Sequence, residues 1–166
     1  MLPDDLREPA RGVLAICRDK GWRVGTAESC TGGLVAATLT AVPGSSDVVE
    51  RGLVTYTNAA KTDLLGVPAD LFARVGAVSG EVAAAMAAGL LARAPVDAAV
   101  AVTGIAGPGG GSAEKPVGLV YIAAGVRGGE PKVQRFRFDG DRDTVRAESV
   151  RAALVMLRDA AGPGDA

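Results

Sequence analysis

TAESCTGG, residues 26–33, governs how the rest of the chain folds around it. The alternating apolar positions before it, Trp22 and Val24, have the period of a strand. Leu34, Val35, Ala37 and Thr38 after it have the period of a helix. A strand, a tight turn and a helix start carry small polar side chains to the carboxyl edge of a sheet, where open α/β folds keep their ligands. The same turn aims unpaired N–H groups of the first helical turn at whatever lies above. Glu28, Ser29, Cys30 and Thr31 stand at that point, and Gly32 and Gly33 leave room for close approach. This stretch is the candidate active site.

Working outward, residues 5–19 place Leu6, Val13, Leu14 and Cys17 at helical spacing, with Gly21 as the stop. Trp22–Ala27 reads as a strand, and the helix beyond the turn runs to about Ala41, before the break at Pro43-Gly44-Ser45-Ser46. Val48 to Tyr56 is strand-like towards its end. Asn58 is positioned to cap a short helix through Leu65, closed by Gly66, and Pro68 to Val75 suits another. Ser79 starts an alanine-rich helix to about Arg93. Asp97 to Thr103 is a continuous apolar run, the pattern of a strand buried on both faces. After a glycine-rich loop, strands near Val117–Val126 and Lys132–Phe138 form a hairpin at Gly128-Gly129. Asp141 caps a final helix to about Arg158, and the Gly-Pro-Gly segment after it is expected to be loose. The pattern predicts an α/β fold: one domain over 1–166, ordered from about 5 to 158, built as a three-layer α/β/α sandwich with a mixed sheet.

A chain of 166 residues suffices for one well-buried domain. Its net charge of −1 offers no basic face for nucleic acid. Val82 to Ala92 is too short for a membrane span, and the acidic start MLPDDLREPA has no apolar core of a signal peptide. Cys17 and Cys30 form no ligand pair, so the expected setting is the reducing cytoplasm. The chain has no histidine. That removes Ser-His-Asp and Cys-His catalysis and imidazole-based metal sites, so neither metal nor cofactor is expected. Proton transfer must use Lys, Tyr, Asp, Glu or water.

Ser29 has two readings, a helix N-cap or a nucleophile. Cys30 is a second nucleophile candidate or a small buried hydrophobe, and Glu28 either orients its neighbours or is a surface acid. In TYTNAAK, residues 55–61, Tyr56 ends a strand and Lys61 lies about one turn into the next helix. A lysine in a partly dry pocket readily loses its charge and can take a proton from a serine. Otherwise Lys61 is a solvated surface lysine near Asp63. The loop TGIAGPGGGSAEKPVG, 103–118, holds six glycines, each about 0.5–1 kcal/mol costlier to order in regular structure than alanine. Such a loop either presents backbone N–H groups to a ligand or is a mobile surface segment. Thr103, Gly104 and Gly107 open it at the same sheet edge as Ser29. Arg142 and Arg146 share a helix face near its positive end. They either hold a phosphate with the helix-start amides or pair with Asp141, Asp143 and Glu148 on the surface.

These stretches, in this order, resemble the C-terminal domain of the CinA competence/damage-inducible family in its stand-alone amidase form. The matching residues are 26–33, Gly44-Ser45-Ser46, 55–61, GAVS at 76–79, 103–118 and GDRDTVR at 140–146. One departure is Gly109, where the family often has an acidic residue. The resemblance implies deamidation of nicotinamide mononucleotide to nicotinic acid mononucleotide and ammonia. It implies Ser29 as nucleophile with Lys61 and Tyr56 in its activation. Glu28, Cys30, Thr31, Gly32, Thr103, Gly104 and Gly107 would line the substrate site, and Arg142 and Arg146 are added here as candidate phosphate ligands. The expected partner is a small nucleotide, in a homo-oligomer, without membrane or nucleic acid. The alternative is a non-catalytic nucleotide-binding module that regulates a partner.

Overall fold

In the computed structural model, which describes residues 2–163, Val24–Glu28 forms β1, buried along its whole length. Met1 and the last glycine of the expected loose tail, Gly164, lie outside the described residues. Before β1, α1 (Arg7–Lys20) buries Ala10, Val13, Leu14 and Cys17 at helical spacing and stops at Gly21, whose φ of 67° is the left-handed cap that glycine adopts without strain. The other elements are α2 (Leu34–Thr40), β2 (Val49–Val54), α3 (Asn58–Leu65), α4 (Ala69–Val75), α5 (Gly80–Arg93), β3 (Ala98–Gly104), β4 (Leu119–Val126), β5 (Lys132–Arg137) and α6 (Arg142–Ala161).

The sheet order is β2-β1-β3-β4-β5. The first three strands are parallel, and β4 and β5 join antiparallel. The mixed sheet is therefore as expected, and helices cover both faces. Val24, Val100, Val102, Val120 and Ile122 pack against α1, α2 and α6. Ala27, Ala99, Ala101 and Ala123 turn to the other face, against α5 with α3 and α4 outside it. Small side chains on that face let α5 lie close. The alanine-rich helix turns Ala83 and Ala87 into this contact. A Cβ on Gly89 would sit 1.8 Å from the Leu65 carbonyl oxygen.

Several boundaries differ from the sequence expectation. Thr57, not Asn58, caps α3, its Oγ1 accepting from the Ala60 N–H at 3.0 Å. β4 begins at Leu119 because Gly118, with φ 92°, bends the chain and donates its N–H to Ile105 instead. The final helix continues past Arg158 to Ala161, since Leu157 and Ala161 are still buried against the core. Among the described residues no helix is long and apolar enough to cross a membrane.

Register positions the site. Glu28 stands beside Val54 on one side and Val102 on the other. The next residues, Ser29, Thr55 and Thr103, therefore lie abreast at the carboxyl edge of the parallel strands. The Ser29 N–H donates to Val102 O (3.0 Å) and the Thr55 N–H to Glu28 O (2.8 Å), extending the ladder one step past the strands.

Candidate active site

At that edge the chain after β2 turns through Thr57 into α3 and brings Lys61 back over Ser29. Lys61 Nζ lies 3.0 Å from Ser29 Oγ, 2.8 Å from Thr55 O and 3.4 Å from Tyr56 O. Ser29 is 9% exposed and Lys61 only 1%. Burial pushes the Lys61 amine below its ordinary value of 10.5. A neutral amine has two N–H bonds and one lone pair. Charged, the amine donates to Ser29 Oγ, Thr55 O and Tyr56 O; when it is neutral and the two carbonyls accept its N–H groups, the lone pair is left for the Ser29 hydroxyl, which then donates to it. That is the arrangement of a base against a nucleophile.

Ser29 does not cap the helix. Glu28 does so instead, from within the protein: Oε1 accepts from Val35 N–H (2.8 Å) and Oε2 from Ala36 N–H (3.1 Å). Glu28 is 1% exposed, so the surface-acid reading is wrong, and it does not line the cavity. It also takes the helix-start amides expected to face a ligand. Thr31 is buried, and neither it nor Gly32 lines the cavity. Cys30 does, yet burial raises its thiol to about 11, leaving a protonated, poorly nucleophilic sulfur at neutral pH.

The cavity is about 290 Å³ and lies over Ser29 and Lys61. Thr103, Gly104 and Gly107 line it, as expected. A larger hollow of about 650 Å³ lies between α3 and α4, but Thr62, the hydroxyl in its lining, donates to the Val67 carbonyl rather than to Asp63, the carboxylate beside it. Chemistry rather than size selects the site.

The glycine-rich loop is not loose. Ile105 N–H donates to Leu119 O across it, Gly118 N–H closes on Ile105 O, and Lys115 Nζ reaches Val75 O at 2.6 Å. The Gly107-Pro108 peptide is cis. Gly104 admits no side chain, because a Cβ would come within 2.7 Å of Val120. Thr103 Oγ1 donates to Ala77 O (2.9 Å), tying the GAVS segment to β3, while Ser79 caps α5 through Val82 N–H. Ala77, Val78 and Asn58 thereby join the lining, positions for which the sequence reading assigned no ligand role. Asn58 was masked by its resemblance to a cap.

The two arginines part company. Arg142 reaches the cavity rim, where Nη1 donates to Gly107 O (2.8 Å) and Nη2 to the Tyr56 hydroxyl (3.1 Å). Arg146 turns to the back of the nucleophile turn and donates to Cys30 O (3.2 Å) and Thr31 O (3.3 Å), outside the cavity. The shared phosphate clamp is thus not formed. Nor is the helix start open to an anion, because Asp141 Oδ1 accepts from Thr144 N–H and holds a carboxylate there. The two bonds from Thr144 keep that carboxyl below its usual range. The surface ion-pair reading fails as well, since Glu148 pairs with Arg151. Tyr56 lines the cavity, but its hydroxyl is held by Arg142, and Lys61 meets only its main-chain oxygen.

The chain has relatives of known sequence and of known structure. Residues 7–161 match the family model of the CinA C-terminal domain. The chain is 51% identical over 158 residues to a CinA-like protein of Citrifermentans bemidjiense, covering 95% of this chain and 38% of that one. A CinA-like protein of Geobacter sulfurreducens is 53% identical over 146 residues, covering 88% and 35%. The chain thus spans under two-fifths of the length of these curated relatives. Among solved structures, competence/damage inducible protein CihA from Agrobacterium tumefaciens superposes with a TM-score of 0.92 at 52% identity, covering 95% of this chain and 96% of that one. A CinA superfamily protein from Escherichia coli gives 0.83 at 37% identity, covering 95% and 92%. The chain belongs to the CinA C-terminal domain family.

Proposed function

We propose that this protein is an amidohydrolase that releases ammonia from the carboxamide of nicotinamide mononucleotide, with Ser29 as nucleophile and Lys61 as base. The observation that carries the reading is the 3.0 Å approach of the buried Lys61 amine to the Ser29 hydroxyl, in a protein without histidine. The substrate follows from the resemblance of the motifs described above to the stand-alone amidase form of the family.

In this mechanism Lys61 takes the Ser29 proton as Oγ attacks the carboxamide carbon. The Ser29 amide is committed to Val102, so the oxyanion is held by other amides, those of Cys30 and of the 106–110 segment facing the cavity. A donor of this kind is typically worth about 10²–10³ in rate. The tetrahedral intermediate collapses, the C–N bond breaks, and protonated Lys61 returns the proton to the departing ammonia. Lys61 then deprotonates a water that attacks the acyl ester, and gives that proton to Ser29 Oγ as the C–O bond breaks and the acid leaves. Arg142, the cation at the rim, takes the substrate phosphate.

The test is to incubate the purified protein with nicotinamide mononucleotide and follow ammonia and nicotinic acid mononucleotide together. The reading expects both in equal amounts, and a much lower kcat/KM for nicotinamide riboside. Arg142→Ala should raise KM for the mononucleotide by a larger factor than for the riboside, which has no phosphate to lose. Tight binding of the nucleotide without ammonia release would instead support a regulatory module.

A further inference from the structure

We propose that Tyr56 is the platform on which the charged ring of the substrate stacks, and that it sets a preference for a cationic ring over a neutral one. The proposal rests on the reading of the cavity as a nicotinamide-nucleotide site. There the carboxamide is attached directly to a pyridinium ring, so a positive charge must sit within a few ångströms of Ser29.

Among the described residues that line the cavity there is no Asp or Glu. The ionic side chains present are Lys61 and Arg142, and neither attracts a cation. Tyr56 is the aromatic side chain in the lining, and at 56% exposed it has a free face. The face of a phenol ring carries the negative part of its quadrupole and attracts a cation placed over it. The ring is also held. Arg142 grips its hydroxyl at 3.1 Å and the Gly107 carbonyl at 2.8 Å, a two-point brace from the glycine loop across the mouth. The hydroxyl is occupied at the rim, which leaves Lys61 to handle the Ser29 proton.

Binding measured by calorimetry in the Ser29→Ala background reads this without turnover. The two probes are nicotinamide mononucleotide and benzamide riboside 5′-phosphate, which keeps carboxamide, ribose and phosphate but has a neutral ring. The parent should favour the cationic probe. Tyr56→Leu should reduce that preference by about tenfold, within the range of such contacts, whereas Tyr56→Phe, which keeps the ring, should retain the preference. A preference unchanged in Tyr56→Leu overturns the proposal, as does one lost equally in Tyr56→Phe. Failure of the parent to bind either probe overturns it together with the assigned substrate. Selective binding by the parent, lost in Tyr56→Leu but unaccompanied by ammonia release in the unmutated protein, upholds the platform and removes the amidase.

Discussion

Ser29 illustrates what residue type and spacing can and cannot decide. A serine ahead of a helix is as good a cap as a nucleophile, and the choice depends on which group takes the helix-start amides. Glu28 takes them, from a position seven residues before Val35. No local pattern links the two, because the contact exists only after β1 and α2 are packed. Glu28→Gln should therefore cost about 1–3 kcal/mol, since its amide places an N–H against donors that had a carboxylate. Urea denaturation measures that loss, and amidase activity should fall with it as the Ser29 turn loosens. Cys30 sits next to the nucleophile but is a protonated thiol, pushed up to about 11 by burial. Cys30→Ala should keep ammonia release within a few fold of the parent, and iodoacetamide should label Cys30 slowly at pH 7.

At the scale of elements, composition and periodicity were informative wherever one residue type dominated a run. β3 was legible from its apolar stretch, α6 from its Asp141 cap, and α5 from its alanines. What α5 packs against was not legible, because small residues suit a subunit contact as well as a close intramolecular one. Gly89, against Leu65, serves the latter. Gly89→Ala should lower the melting temperature by overpacking, at a cost of about 1–3 kcal/mol, without moving KM. The glycine loop left a choice of the same kind. Six glycines fit a mobile segment, yet Arg142, Lys115 and the bonds from Ile105 to Leu119 and from Gly118 to Ile105 pin this one. The split between Arg142 and Arg146 was also beyond reach of the sequence. Residues one turn apart share a face, but long side chains on that face can still reach opposite sides of a turn.

Across the whole molecule, strand register assembles the site. Ser29, Thr55 and Thr103 come level because Glu28 of β1 pairs with Val54 of β2 and Val102 of β3, and Lys61 is delivered by the helix that follows one of them. Burying that lysine has a consequence for the entire fold. The folded chain holds Lys61 below 10.5, so between the lowered value and 10.5 the unfolded chain binds a proton that the folded chain lacks. Stability should rise with pH through that window and level off above it. Relative to Lys61→Met, which has no charge to bury, the parent should be at its greatest disadvantage at low pH and gain as the pH rises. Chemical denaturation at a series of pH values measures the difference. kcat/KM should climb as the pH passes through the lowered value, where the folded amine becomes neutral, and hold above it, and Lys61→Arg, which cannot lose its proton, should not restore it.

The account stands on a serine made reactive by a neutral lysine, and the most direct measurement is ammonia release from nicotinamide mononucleotide by Ser29→Ala and Lys61→Met beside the parent. The account predicts that Ser29→Ala falls by at least about 10³-fold and Lys61→Met by about 10²–10⁴-fold, with both variants still folded. Activity within a few fold of the parent in either variant would contradict it.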